Sequence, residues 1–151
     1  MLDDTDRRIL RQFQAEPSLS ISELAARVGL TATRCARRLD KMTEACAILG
    51  HEEVVDWVAL GYAVEVSLRI TLDKAEARAT DDFIAAARDI PEVLEIQTFL
   101  GRVDVRLSVI ARDLEHYQAL YRDRILTLPH IADIEALMRI ASVKAATELP
   151  V

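Results

Sequence analysis

Apolar side chains recur every three or four positions along the first fifty residues, a period that is typical of amphipathic helices. The stretch 22–42 contains two such patterns, and Gly29 between them suits the left-handed residue that ends a helix. Ser22 and Thr31 are the predicted N-caps of the two helices. Two short helices joined by a glycine turn predict a helix-turn-helix motif. The residues expected to face inward are Leu24, Ala25, Val28, Cys35, Leu39 and Met42.

A further helix is predicted before this motif. Asp3 or Asp4 caps its start, and Pro17 ends it because proline cannot continue a helix. This helix is expected to support the other two. Its inward-facing residues are Ile9, Leu10 and Phe13.

From Gly61 onward, apolar and polar residues alternate in several stretches, which is the period of half-buried strands. The predicted elements are a strand over 62–70, a helix over 74–89, strands over 92–100 and 103–109 joined tightly at Gly101, a helix over 114–128 and a strand over 131–143. This order predicts a ferredoxin-like βαββαβ fold, with an antiparallel sheet and two helices on one face. Because the other face holds apolar as well as charged residues, we expect a second subunit to cover it.

The predicted fold class is therefore α+β, in three segments. Residues 1–50 form the three-helix, helix-turn-helix domain, and 51–60 form a hinge with a short strand over 51–55 followed by a turn over 57–60. Residues 61–151 form the ferredoxin-like domain.

Charge separates the two halves of the chain. The net charge is −6, but the first fifty residues carry eight Lys/Arg and seven Asp/Glu, whereas the remainder carries eleven and eighteen. An acidic second half would repel phosphate, so contact with nucleic acid should be confined to the first half. The chain has no run of eighteen apolar residues and no basic start typical of a signal peptide, so we expect a cytoplasmic protein without membrane contact.

One side of the second helix of the motif is basic, and we call it the basic flank. Arginine and lysine residues recur at helical spacing, on the sides left free by the apolar face. A helix of this kind is suited to the major groove of double-stranded DNA, although a solvated amphipathic helix in any helical domain would show the same pattern. The candidate DNA-binding residues are Ser22, Thr31, Thr33, Arg34, Arg37, Arg38 and Lys41.

The sequence gives no metal-ligand spacing and indicates no cofactor. Cys35 and Cys46, placed on one helix, would lie roughly 16 Å apart at about 1.5 Å per residue, too far for a disulfide. Cys35 suits the core, and Cys46 is either a surface residue or a reactive thiol. The early acidic cluster, Asp3, Asp4 and Asp6, is better explained by the helix dipole than by a cation.

Several motifs, in order, resemble the Lrp/AsnC family of bacterial regulators, also called feast/famine proteins. They are Leu2-Asp-x-x-Asp-x-x-Ile-Leu10, Ser22-Glu-Leu-Ala-x-x-Val-Gly-Leu30, Thr33-x-Cys-x-x-Arg38, Ile48-x-Gly50, Gly61, Gly101-x-x-Asp104 and Val143-Lys-x-x-Thr-x-Leu-Pro150. The resemblance spans the whole chain and implies a transcription regulator. It further implies dimers that assemble into tetramers, octamers or larger rings, association with the nucleoid, and a small amino acid bound near Gly101 to Asp104 where dimers meet.

This chain departs from the family pattern at several positions. Cys46 replaces a usual glycine after the recognition helix, and His51 replaces a usual aromatic after Gly50, so that helix end is expected to differ. In the effector region Gln97, Leu100 and Ala136 stand where tyrosine and two threonines are common. The less polar wall favours a small apolar or sulfur-bearing amino acid.

The residues of the 100–104 stretch suggest how such a site could work. Gly101 lacks a Cβ, so backbone N–H groups there can approach a ligand carboxylate, and Asp104 offers a charge opposite to an ammonium. Alternatively, Gly101 only makes the turn and Asp104 only solvates a strand. The candidate effector residues are Gln97, Leu100, Gly101, Arg102, Val103, Asp104 and Ala136.

Three functional classes can be considered for this chain: a transcription regulator, an architectural DNA protein and an enzyme. The leading hypothesis is a sequence-specific regulator of transcription that binds a pseudo-palindromic operator and responds to an amino-acid-like effector. An architectural protein that organises DNA without a ligand is the alternative. An enzyme is disfavoured because the chain lacks a nucleophile elbow, a phosphate-binding glycine loop and paired histidines at metal spacing.

Overall fold

A computed structural model describes residues 2–145 and 148–151. The chain divides into two compact units, one of Met1–Val54 with Val143–Val151 and the other of Val55–Ser142. The C-terminal segment therefore groups with the first unit by its contacts, and the bounds predicted for the ferredoxin-like domain, 61–151, stay a prediction. One contact that joins this segment to the first unit is a hydrogen bond from the Leu149 N–H to Gln14 Oε1 at 2.7 Å. Thr147 of the terminal motif lies outside the described residues.

The first unit contains the three predicted helices. They are α1 (Asp4–Ala15), α2 (Ile21–Val28) and α3 (Ala32–Glu44). Gly29 follows α2 with φ of 70°, so the predicted glycine turn is confirmed. Their shared core consists of Ile9, Leu24, Ala25, Val28, Cys35 and Met42.

Two of the three predicted N-caps are confirmed. Asp3 caps α1, and Thr31 caps α3 by accepting from the Arg34 N–H at 3.4 Å. The prediction that Ser22 caps α2 is wrong, because the cap is Ser20. The Ser20 hydroxyl accepts from the Glu23 N–H at 3.3 Å, and the Glu23 carboxylate accepts from the Ser20 N–H at 2.9 Å. This reciprocal capping box uses a serine and a glutamate three residues apart, which Ser22 could not form.

The end of α3 differs from the expectation that both cysteines share one helix. Cys46 lies beyond the helix with φ of 54°, in the left-handed conformation that a glycine would adopt at lower cost. The ring of His51 packs edge-on against Phe13, with centroids 5.1 Å apart. The two unusual residues therefore occupy a standard helix end and an aromatic contact.

The hinge prediction holds only in part. Residues 57–60 form the expected turn, but 51–55 do not form a strand. Val54 and Val55 are exposed, and no described strand lies alongside this stretch to complete its backbone hydrogen bonds.

The second unit is a ferredoxin-like α+β unit, as predicted. Its elements are β1 (Val64–Leu72), α4 (Ala79–Arg88), β2 (Val93–Thr98), β3 (Val105–Ala111), α5 (Leu114–Leu120), a π-helical turn (Tyr121–Ile125) and β4 (Ile131–Met138). The antiparallel sheet has the order β2-β3-β1-β4. Among the described residues no helix is long and apolar enough to cross a membrane.

Some element boundaries differ from the predicted ones. α4 begins at Ala79, five residues later than predicted, and β4 ends at Met138. The connection between β2 and β3 is a six-residue loop over 99–104, not a tight turn at Gly101. Leu114, expected on the inner face of α5, is 53% exposed because it occupies the first turn next to the cap residue Asp113.

The two faces of the sheet differ in burial. On β1, alternate residues from Val66 to Leu72 are buried with Phe83 of α4 in the main core. The intervening side chains, Glu65, Ser67, Arg69 and Thr71, are half-buried or exposed. The expectation that a second subunit covers this open face stays a prediction.

The core assignment predicts a large difference between two apolar truncations. Phe83 is fully buried, so Phe83→Ala should reduce the free energy of unfolding by about 3–5 kcal/mol through lost burial and a cavity. Leu114→Ala, at an exposed position, should cost about 1 kcal/mol or less. Urea denaturation measures both, and equal losses would contradict the assignment.

Candidate functional site

The predicted basic flank is present on α3. Its residues line one cleft of about 300 Å³ together with two carboxylates of α1. Arg34, Arg37 and Lys41 are exposed, and none of them pairs with a carboxylate among residues 2–145 and 148–151. Three unpaired cations on one helix can attract the phosphates of a nucleic acid.

Arg38 differs from these three cations. Its Nη1 lies 2.8 Å from Asp3 Oδ2 and 2.6 Å from Asp6 Oδ1, and the residue is only half-exposed. The hydrogen bond from Arg38, followed by that from the Asp6 N–H, lowers the pKa of Asp3, and the two carboxylates raise the pKa of Arg38. Arg38 was expected to face DNA with the other cations, but its Nη1 is bound by the two carboxylates at the start of the first helix.

The predicted hydroxyl residues are all exposed. Thr31 and Thr33 lie at the N-terminus of α3, and Ser22 lies in the first turn of α2. Helix N-termini carry partial positive charge and free N–H groups, so these positions suit a phosphate oxygen.

Asp104 is not the solvated strand residue or free ligand group that the sequence suggested. It is 8% exposed, and Oδ2 accepts from the Leu72 N–H at 2.9 Å. Lys74 Nζ lies 2.8 Å from Oδ1, and this contact is the main cause that lowers the pKa of Asp104, followed by the Leu72 N–H. The carboxylate thus ties the β2–β3 loop to the end of β1, and Lys74 is its ion-pair partner.

A second cleft, of about 580 Å³, lies between that loop and the open face of the sheet. Thr71 Oγ1 donates to the Arg102 carbonyl at 2.8 Å, which holds the loop against β1. Arg69 Nη1 lies 3.6 Å from Glu135 Oε2, so both signs of charge occur in the cleft. Its lining residues are Arg69, Thr71, Arg102, Val103, Asp133, Ile134 and Glu135.

The structure brings only some of the predicted effector residues together. Arg102 and Val103 line the cleft, whereas Leu100 and Gly101 are exposed on the loop. Gln97 and Ala136 lie on the two edge strands of the sheet, roughly 14 Å apart at about 4.8 Å per strand. They therefore do not form one site within a single chain.

Four polar residues that line this cleft are not among the predicted site residues. The missed residues are Arg69, Thr71, Asp133 and Glu135. Strict alternation along β1 could have identified the first two as a polar face, but the pairing of β1 with β4 is a long-range contact that no local pattern shows. Groups of three or more potential metal ligands do not occur in the described part of the chain.

Comparison with known proteins finds two domain families in this chain. Residues 2–43 match the AsnC-type helix-turn-helix domain, and residues 65–149 match the Lrp/AsnC ligand binding domain. A proline dehydrogenase transcriptional activator of Rhodobacter capsulatus is 33% identical over 132 residues, which cover 87% of this chain and 86% of that protein.

Two solved structures are similar over nearly the whole chain. A transcriptional regulator of Neisseria meningitidis, solved as its complex with L-methionine, superposes with a TM-score of 0.89 at 27% identity and covers 99% of this chain and 97% of that one. An AsnC family regulator of Agrobacterium tumefaciens gives a TM-score of 0.86 at 32% identity, with the same coverage.

The buried contacts of Asp104 predict a pH-dependent loss of stability on substitution. Asp104→Asn should lower the free energy of unfolding by about 1–3 kcal/mol at pH 7, because a charge-assisted bond to Lys74 is lost. A lowered native pKa adds stability above the ordinary value of 3.8, and this stability disappears as the pH falls through the native pKa. The difference between wild type and variant, measured by denaturation from pH 7 to pH 3, should therefore shrink below about pH 4.

Asp73→Asn is the matched control, because Asp73 is exposed and makes only a local bond to the Ala75 N–H. It should change stability little at any pH. A constant difference for Asp104→Asn across this range would contradict the ionic role of the carboxylate.

Proposed function

This chain belongs to the Lrp/AsnC family of transcription regulators and is not an enzyme, and from this premise we propose that it is a sequence-specific regulator whose operator binding responds to a small amino acid. The observation that carries the DNA-binding part is the row of unpaired cations Arg34, Arg37 and Lys41 on α3. A helix with such a face can lie in the major groove, where arginine donates to guanine and lysine neutralises phosphate.

The hydroxyl residues support a definite orientation on DNA. Thr31 and Thr33 at the start of α3 would meet backbone phosphate or a base edge, with Ser22 at the start of α2 on the backbone. Phosphate contacts at helix ends fix the register, while the arginines further along α3 read bases. Arg38 is left out of the set of reading residues because Asp3 and Asp6 hold it.

A homodimer is the smallest assembly that we propose. The open face of the four-stranded sheet has no cover in the described chain, and its half-buried and exposed side chains include Leu137 as well as charged residues. Two recognition helices related by a two-fold axis would read a pseudo-palindrome with half-sites about 34–36 Å apart. Tetramers, octamers or larger rings of such dimers remain part of the proposal, as does nucleoid association in the cytoplasm of a bacterium.

The 580 Å³ cleft is the proposed effector site. Arg69 and Arg102 can bind a carboxylate, and Asp133 and Glu135 can bind an ammonium group, which together recognise the common part of an amino acid. Gly101 can add a backbone N–H from the same loop. Asp104 is assigned to hold the loop, because both of its oxygens already have donors.

The neighbouring walls would select the amino acid side chain. Val103 gives the cleft an apolar side, whereas Ile134, which also borders the cleft, pairs with Ile70 and packs against the buried core. The Neisseria regulator with this fold was solved with L-methionine, which agrees with the preference for an apolar or sulfur-bearing side chain. L-methionine is therefore the first effector to test.

Removing the reading arginines should weaken operator binding. The Arg34→Ala/Arg37→Ala variant should lose about 1–3 kcal/mol per arginine that reads a guanine, or lower the salt slope by about one for each that only contacts phosphate. Arg112→Ala is the control, because Arg112 is exposed in the second unit and forms no ion pair among the described residues. Salt-dependent gel shift or fluorescence anisotropy measures both, and unchanged binding by the double variant would rule out α3 as the interface.

Calorimetric titration with the twenty amino acids tests the effector cleft. We expect wild type to bind L-methionine or a similar amino acid, and Arg102→Gln to lose at least about tenfold in affinity, since a charge-assisted bond to the carboxylate contributes about 1.5–3 kcal/mol. Arg112→Gln should bind as wild type does. No binding by wild type, or equal binding by Arg102→Gln, would refute this assignment.

A further inference from the structure

Three side chains join the start of α1 to the middle of α3 in a closed cluster. Asp3 and Asp6 cap each other's backbone: the Asp6 N–H donates to Asp3 Oδ1 at 2.8 Å, and the Asp3 N–H donates to Asp6 Oδ2 at 3.1 Å. The other oxygen of each carboxylate accepts from Arg38 Nη1, at 2.8 and 2.6 Å. All four carboxylate oxygens therefore have a donor, and both carboxylates bind the same nitrogen of Arg38, Nη1.

The cluster is part of the DNA-facing surface. Asp3 and Asp6 line the same 300 Å³ cleft as Arg34, Arg37 and Lys41. Carboxylates in a first helical turn are ordinary because they suit the helix dipole. The dipole alone does not explain why two of them border a surface for phosphate, since Asp4 in the same turn lies outside the cleft and outside the cluster.

We propose that Asp3 and Asp6 determine the selectivity of this interface, by holding Arg38 as a positioning residue and by placing an anionic border beside the reading cations. The inference rests on the proposed function, in which α3 binds DNA. Binding to non-operator DNA comes almost entirely from neutralising phosphate, so it falls when one cation is withheld and two carboxylates are added. Base contacts by a correctly oriented Arg34 or Arg37 are affected much less.

A purely structural role for the cluster would give a different result. If the cluster only stabilised the first unit, its loss would weaken operator and non-operator binding in the same proportion. If the cluster sets selectivity, its loss should strengthen binding to non-operator DNA while operator binding stays level or weakens. The ratio of the two affinities therefore separates the two roles.

The test uses Asp3→Asn/Asp6→Asn, which removes both charges and keeps side chains that cap helices well. The probes are a duplex selected by wild type from a random-sequence pool and a mixed-sequence duplex of equal length. The variant should bind the mixed duplex at least about fivefold more tightly, with a salt slope steeper by about one because Arg38 can now reach a phosphate. Asp4→Asn, the matched control with one charge removed in the same turn, should leave the affinity ratio within about twofold of wild type.

Arg38→Gln provides a second and independent variant. Its salt slope on the mixed duplex should equal that of wild type, because Arg38 does not neutralise phosphate there, while its operator affinity should fall through lost positioning of α3. A slope reduced by about one would place Arg38 on phosphate and overturn the proposal. An unchanged affinity ratio in Asp3→Asn/Asp6→Asn would overturn it as well.

Thermal unfolding of each variant keeps the result interpretable. If Asp3→Asn/Asp6→Asn does not fold, the slope and operator affinity of Arg38→Gln decide the question. Failure of wild type to bind either duplex would refute the proposed function, whereas tight operator binding with an unchanged ratio in the variants would refute only the selectivity role.

Discussion

The helical period of α3 is the constraint on which the DNA-facing unit depends. One helix of thirteen residues has to fill the core and present charge to a partner at the same time. Cys35 and Met42 are buried against the other helices, while Arg34 and Arg37 point outward. Arg38 lies at the boundary between these faces, and its Nη1 is bound within the protein by the carboxylates of Asp3 and Asp6.

In the second unit, strand β1 also has one face in the core and one open face, and its side chains alternate between them with a period of two residues. Alternate residues of β1 from Val66 to Leu72 build the core under the helices, and the residues between them form a polar face beside the β2–β3 loop. Asp104 is the one buried charged residue among the described side chains, and its two contacts fasten that loop to the strand. The loop is therefore held in place, and it positions Arg102 beside the cleft.

Local sequence patterns predicted what depends on local structure. The three helices, the Gly29 turn and the ferredoxin-like order of strands and helices follow from periodicity and were confirmed. Ser22 was wrong as a cap because two serines compete for that position, and the glutamate partner selects Ser20. The strand over 51–55 was wrong because a strand needs a neighbour, which a local pattern of β-branched residues cannot supply.

The candidate sites depended on contacts far apart in sequence. No local sequence pattern indicates that Arg38 binds Asp3, which lies 35 residues away. Nor does one indicate that Lys74 binds the oxygen of Asp104 that was expected to bind a ligand. A genomic footprint of the purified protein with and without L-methionine tests most directly whether this protein has a selective DNA interface under amino-acid control. We expect protected imperfect palindromes with half-sites one helical turn apart, whose occupancy changes with the amino acid. Protection spread evenly over the genome, and indifferent to every amino acid, would contradict it.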